Sequence, residues 1–201
     1  MQRYLLTPSL HDSFWYFANT EFKTVEEFMQ TLRNERGEPS EPMLKGIKFE
    51  DDVLAYTQGK LDPSTVKPGW ASCVKEVGDI VNGGEWQARM SQEIEICGMK
   101  FLLYGKADVI KRDWIYDIKF TGNYDIGKYT KKIQRLVYMY LAKMEKFAYL
   151  VTTGNDVFRE DYFWQREDEA LLFAELTEMV EYIMGHRPFR EAFLEHWKCK
   201  Y

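Results

Sequence analysis

Apolar residues recur at helical spacing over residues 10–36 (Phe14, Phe17, Phe22, Val25, Phe28, Met29, Leu32), which predicts a helical N-terminal segment. The run GEPSEP at residues 37–42 marks a loop or boundary, and its last proline can open a second helix over residues 42–56. A third helical pattern, residues 70–81, stops at Asn82-Gly83-Gly84. The period then changes. Residues 87–96 and 99–110 alternate in part around Gly98, which predicts a hairpin, and residues 113–120 alternate cleanly as a third strand. Residues 127–146 carry the stripe Ile133, Leu136, Val137, Tyr140, Leu141 and Met144, and are expected to form the longest helix. Two strands, residues 147–153 and 157–164, flank the turn Gly154-Asn155-Asp156, and a helix over 168–184 is capped at Gly185. The expected fold class is α/β (α+β), a layered domain with helices against a central sheet.

Size and charge narrow the classes. At 201 residues the chain has room for one compact domain. That domain is expected to comprise a helical extension at residues 1–41, a core at 42–165 and a C-terminal helical segment at 166–201. Hydrophobic residues at 45% exclude disorder, and no window reads as a membrane span or a secretory leader. Cys73, Cys97 and Cys199 are scattered and odd in number, so neither a disulfide framework nor a cysteine metal cluster is expected, and a cytoplasmic setting fits. The net charge is −5, yet residues 100–146 hold 11 Lys/Arg against 5 acids. That leaves 16 cations against 27 acids elsewhere, so a basic middle lies in an acidic frame and can attract a polyanion locally.

Three features carry chemistry. In the strand over 113–120, Trp114, Tyr116, Ile118 and Phe120 share an apolar face, while Ile115, Asp117 and Lys119 share the other. If Lys111-Arg112 makes a two-residue turn, Asp108 pairs with Ile115 and lies diagonal to Asp117, about 7–8 Å away. A hard divalent cation can sit between two such carboxylates. On the second helix, Glu50 interrupts the stripe Met43, Gly46, Ile47, Val53 and Leu54, and a carboxylate on a core-facing stripe needs a cationic partner: arginine, lysine or metal. Gln134 and Tyr138 stand one turn apart at the edge of a buried stripe, with Lys128, Lys131 and Arg135 nearby.

In this order (Gly46-x-x-x-Glu50, Gly105-x-x-Asp108, Asp117-Ile118-Lys119, Gln134-x-x-x-Tyr138) the chain resembles the RecB-type branch of the PD-(D/E)XK nuclease superfamily, most closely the phage and prophage recombination exonucleases. The resemblance covers residues 43–153. It implies a restriction-endonuclease-like core, a central mixed sheet flanked by helices. It also implies a metal-dependent exonuclease acting on linear DNA ends, double- or single-stranded. Glu50, Asp108, Asp117 and the Ile118 carbonyl would bind one or two Mg²⁺ or Mn²⁺ ions. Lys119 would position or deprotonate the attacking water, and Gln134 and Tyr138 would orient the lysine or touch the DNA backbone. Lys128, Lys131 and Arg135 would contact phosphates. The aromatics Phe14, Trp15, Tyr16 and Phe17 offer rings on which unpaired bases can stack. A single-strand annealing protein as partner, and a ring-like homo-oligomer, come with the resemblance.

Two departures matter. Many relatives carry histidine where this chain has Glu50, and some hold an iron–sulfur cluster on four cysteines, which three scattered cysteines cannot reproduce. A non-catalytic DNA-binding module of the same fold, and an endonuclease or CRISPR-adaptation type nuclease, remain open alternatives. No zinc-hydrolase, serine-hydrolase or nucleotide-binding motif is present.

Overall fold

The computed structural model describes residues 2–35 and 37–199. Its elements in order are β1 (Arg3–Leu6), α1 (Pro8–Asn19), α2 (Val25–Leu32), α3 (Glu41–Thr57), α4 (Pro68–Val81), β2 (Glu85–Ile96), β3 (Met99–Lys111), β4 (Trp114–Phe120), α5 (Gln134–Ala142), β5 (Lys146–Thr152), β6 (Val157–Phe163), α6 (Asp168–Gly185) and α7 (Arg187–His196). The strands form one mixed sheet in the order β1-β3-β4-β5-β6, with β2 paired to β3. β1–β3 and β4–β5 are parallel; β2–β3, β3–β4 and β5–β6 are antiparallel. One sheet face packs Phe49, Val53, Val74, Val77 and Val81 of α3 and α4 against Val109, Tyr116, Ile118, Ala148 and Leu150. The other packs α1, α2, α5, α6 and α7 against Phe101, Leu103, Ile115, Phe147 and Val151. The central sheet flanked by helices is the architecture expected from the sequence.

Two predicted elements are corrected. The helix expected over 10–36 is two helices: Thr20 caps the end of α1 by donating from its hydroxyl to the Tyr16 carbonyl at 2.6 Å, and Thr24 restarts the chain with a capping box to Glu27. Arg36, the predicted end, lies outside the described residues. The long helix expected over 127–146 shrinks to α5. Residues 127–132 form turns opened by Gly127 at φ +80°, and Lys143 at φ +55° ends the helix. The longest helix is α6. β1 was not expected, since a strand of four residues leaves almost no periodic signal; α7, which begins directly behind the expected Gly185 stop, falls within the helical segment expected over 166–201 but was not separately expected.

The two edges of β3 differ. β2 runs along one edge over nearly the whole strand, from Met99 to Ile110. The other edge is shared: β1 pairs with Lys100–Leu103, and β4 pairs only with Val109, Ile110 and Lys111. Residues 104–108 between them have no strand partner on that side. This gap positions the site.

Candidate active site

The β3–β4 turn falls at Arg112-Asp113, with Lys111 opposite Trp114 and Ile110 opposite Ile115. The pairing is thus shifted from the one expected, which placed Asp108 opposite Ile115. Arg112 adopts φ +54°, so the chain reverses one residue later than expected. The faces are those predicted: Ile115 points into one core, and Tyr116 and Ile118 into the other.

Asp108 stands where the strand inverts. Phe101, Leu103 and Ala107 face the α5 side, but Val109 faces the α4 side, so the in–out alternation of β3 flips across Asp108. β2 flips with it: Ile94 and Ile96 face the α5 side and Trp86 the α4 side, with Gln87 between them at φ +56°. The pairing register with β3 is the same on both sides of the flip, so the pleat inverts without an inserted residue. The inversion lays the Asp108 carboxylate along the open edge, where it accepts the Ile118 N–H at 2.8 Å in place of a ladder carbonyl. The N–H and C=O of a strand residue leave by the same edge, so the Ile118 carbonyl is aimed into the gap beside Asp108.

Asp117 is 1% exposed and takes the centre of the site. Its Oδ2 lies 2.5 Å from Lys119 Nζ and has no hydrogen-bond donor beyond that ion pair among the described residues. Its Oδ1 accepts from Gln134 Nε2 at 2.8 Å, and the same amide reaches Tyr138 Oη at 2.9 Å. The Tyr138 ring lies against Gly105, where a Cβ would meet its Cδ1 and Cε1 at 2.8 Å. Glycine in the motif is therefore what lets α5 approach β3 and deliver Gln134 to Asp117. Beneath Lys119 lies Tyr149, fully buried and level with Asp117 across the β4–β5 pair, its ring 5.9 Å from the ammonium. Tyr129 packs on Tyr149 at 5.1 Å.

Glu50 comes from α3. The stripe on which it was expected to lie is not the core-facing one: Phe49 and Val53 are buried, whereas Met43, Leu44 and Ile47 are 51–60% exposed. Glu50 borders the buried stripe and is half-buried. One turn before it, Gly46 faces Phe120 at the end of β4, where a Cβ would come within 3.8 Å of the Phe120 Cβ. Electrostatics join α3 to the sheet. Burial, then the Asp117 charge, pushes the Glu50 carboxyl up to about 7, opposed by Lys119 and Lys106. Burial, followed by Asp117 and Glu50, holds Asp108 well above the carboxylate range. Burial also raises Asp117, against the pull of Lys119. For Lys119 burial acts against the charge, but Asp117 and Asp108 outweigh it and raise its pKa.

The structure brings together Glu50, Asp108, Asp117, Ile118, Lys119, Gln134 and Tyr138. The three predicted phosphate contacts scatter. Lys128 Nζ ties down the loop after β4 through Thr121 Oγ1 and the Asn123 carbonyl, both at 2.7 Å. Lys131 is exposed and lies over the Trp15 ring. Arg135 turns inward over the Tyr162 ring and toward Asp168 at 3.8 Å, with its side chain only 14% exposed, so it offers no surface for a phosphate. Sequence reasoning missed Lys106, Tyr129 and Tyr149. A tyrosine inside an apolar strand reads as core, and only the β4–β5 register places Tyr149 beside Asp117.

Among the described residues, no three carboxylate, imidazole or thiol groups form a closed metal-holding cluster. The chemistry of the donors nevertheless fits a hard divalent cation. Three carboxylates sit near one ammonium and raise one another's pKa values, and the buried Oδ2 of Asp117 has no hydrogen-bond donor beyond its ion pair with Lys119 among the described residues. A cavity of about 570 Å³ opens in the β3 gap, lined by Thr7, Pro8, Gly105, Lys106, Tyr138 and Trp197 among others. No helix among the described residues is long and apolar enough to cross a membrane.

No protein-family model matches the sequence, and no curated protein matches it either. Solved structures do. The chain is similar to LHK-Exo, solved in complex with dAMP, at 12% identity and a TM-score of 0.54 over 94% of this chain and 90% of that one. It is also similar to SSO0001, at 17% identity and a TM-score of 0.47 over 82% of this chain and 89% of that one. The likeness to LHK-Exo shows the fold: this chain has a restriction-endonuclease-like architecture, a mixed sheet between two helical layers.

Proposed function

We propose that this protein is a metal-dependent deoxyribonuclease of the RecB-type PD-(D/E)XK branch that hydrolyses phosphodiester bonds in DNA. The observation that carries the reading is the meeting of Asp108, Asp117, Lys119, Gln134 and Tyr138 at the open edge of β3, with Glu50 facing them from α3. LHK-Exo, which shares the fold, was solved holding a deoxynucleotide, and that supports DNA as the partner. Glu50, Asp108, Asp117 and the Ile118 carbonyl would hold Mg²⁺ or Mn²⁺, one ion or two. When bound, such an ion supplies a water of lowered pKa and offsets charge growing on the phosphate. Asp117 and Asp108 favour the charged form of Lys119, which would position or deprotonate the attacking water and offset charge on the phosphate oxygens. Gln134 fixes Asp117, and Gly105 fixes Tyr138 beneath it. The finer reading, an exonuclease of DNA recombination or repair working at linear ends in a cell's cytoplasm beside an annealing protein, follows from the motif order.

The test is linear duplex DNA labelled at one 5′ end, incubated with Mg²⁺ or Mn²⁺. Wild type should release label, EDTA should abolish release, and Lys119→Ala should slow it by about 10²–10⁴-fold. Equal cleavage by Lys119→Ala and Asp108→Ala would remove the site assignment.

A further inference from the structure

The four aromatics of α1 part company in the structure. Phe14 is 3% exposed and Phe17 stacks on Phe28 at 4.7 Å, so both build the core. Trp15 and Tyr16 turn outward, edge to face with ring centroids 5.4 Å apart, and Tyr16 is 40% exposed. Lysines of the loop between β4 and α5 lie over both rings: Lys131 Nζ is 5.7 Å from the Trp15 centroid and Lys132 Nζ is 4.8 Å from that of Tyr16. Lys132 also pairs with Asp12 at 2.7 Å, one turn earlier on α1. Lys131 lies over an indole, with no carboxylate paired to it among the described residues.

This patch is joined to the site at both ends of one segment. Residues 121–133 start directly behind Lys119 and Phe120 and finish at Gln134. Asp12 is close enough to Asp117 to raise its pKa, and Tyr16 lies about 6 Å further along the helix axis. Two outward rings beside lysines, leading away from the buried carboxylates, suit a strand whose bases are unpaired. A ring takes the face of any base, and lysine takes its phosphates, whereas a paired duplex hides the faces of its bases.

We propose that the outer face of α1, together with Lys131, is a single-strand platform. It stacks unpaired bases of the DNA strand on Trp15 and Tyr16, one on each ring, while Lys131 holds a flanking phosphate. The proposal rests on the nuclease reading for its purpose but not for its test. Fluorescence anisotropy with a labelled oligothymidylate of about twenty nucleotides, and with a blunt duplex of equal length, is measured in EDTA so that nothing is cut. Trp15→Ala should weaken oligothymidylate binding about 5- to 100-fold and leave the blunt duplex within about twofold. Trp15→Phe should restore most of it. Lys131→Ala should lower the salt slope for the oligothymidylate by about 0.7.

Unchanged oligothymidylate binding by Trp15→Ala overturns the platform. So does an equal loss on both ligands with no rescue by phenylalanine, or a wild type that does not bind the oligothymidylate. A protein that cuts duplex DNA yet ignores Trp15→Ala loses the platform alone. One that binds as expected yet cuts nothing loses the nuclease reading alone.

Discussion

The two edges of β3 have the same sequence to offer and do opposite things. Along the β2 edge the strand is paired from Met99 to Ile110, and its backbone groups meet backbone groups. Along the other edge, β1 leaves at Leu103 and β4 arrives only at Val109. In the stretch between, side chains take over the roles of a ladder: Asp108 receives the Ile118 N–H, and Tyr138 covers Gly105. A continuous ladder on that side would have satisfied every group with backbone, leaving no room for a carboxylate beside Asp117. Backbone pairing is thus concentrated where β3 is flanked on both edges, and the candidate site lies where it is not.

Asp108→Ala and Phe101→Ala break that contrast from opposite ends. Asp108→Ala should cut metal-dependent DNA cleavage by about 10²–10⁴-fold while changing unfolding free energy by no more than about 1 kcal/mol in chelator. The lost Ile118 hydrogen bond is offset by removal of an acid that burial, Asp117 and Glu50 disfavour. Phe101, fully buried where β1 and β2 both pair, should do the reverse: about 3–5 kcal/mol lost on truncation to alanine, read by urea denaturation. Gly105→Ala tests the seam. A methyl 2.8 Å from the Tyr138 ring must push α5 outward and carry Gln134 from Asp117, reducing cleavage about tenfold and stability by about 1–3 kcal/mol.

Glu50→Gln sharpens the comparison through pH. With its carboxyl raised from 4.5 to about 7, folding favours the protonated form. That contribution is complete below about pH 4.5 and is lost as pH rises through about 7. In chelator, the glutamine variant should therefore gain about 2 kcal/mol on wild type between pH 4.5 and 8, discounted for partial exposure, as paired denaturation curves would show. An unchanged difference across that range would separate α3 electrostatically from the sheet. The smallest effect is expected at Gln87, whose φ of +56° suits glycine; Gln87→Gly should stabilise the protein by less than about 1 kcal/mol in the same assay.

The side chains of the site were legible in the chain because strand alternation and helical spacing are local rules. Asp117 and Lys119 share a face by period two, and Gln134 and Tyr138 share one by period 3.6. The geometry that unites them was not. The inversion at Gln87 and Asp108 has no sequence signature, since neither residue is glycine and the register continues through it. The exposed Met43 and Ile47 mimicked a core stripe and moved the expected burial of Glu50 to the wrong face of α3. Arg135 looked like a surface cation by spacing, but α6 and β6 close over it, a packing no local window contains. The shortened α5 follows the same logic: residues 127–132 have helical composition, yet Tyr129 turns inward onto Tyr149 beneath Lys119.

One wall of the cleft is β1, and β1 is held between β3 and the segment after α7: Leu5 donates to the Trp197 carbonyl at 2.8 Å, and Cys199 donates to the Arg3 carbonyl at 2.9 Å. Those partners are separated by more than 190 residues, whereas Asp108, Asp117 and Lys119 lie within one hairpin. Loop closure makes distant pairing slow, so the order of assembly in time runs opposite to the order of importance for chemistry. The hairpin that carries Asp108, Asp117 and Lys119 is expected to form early, and the recess beside Gly105 to close only when strands from opposite ends of the fold meet.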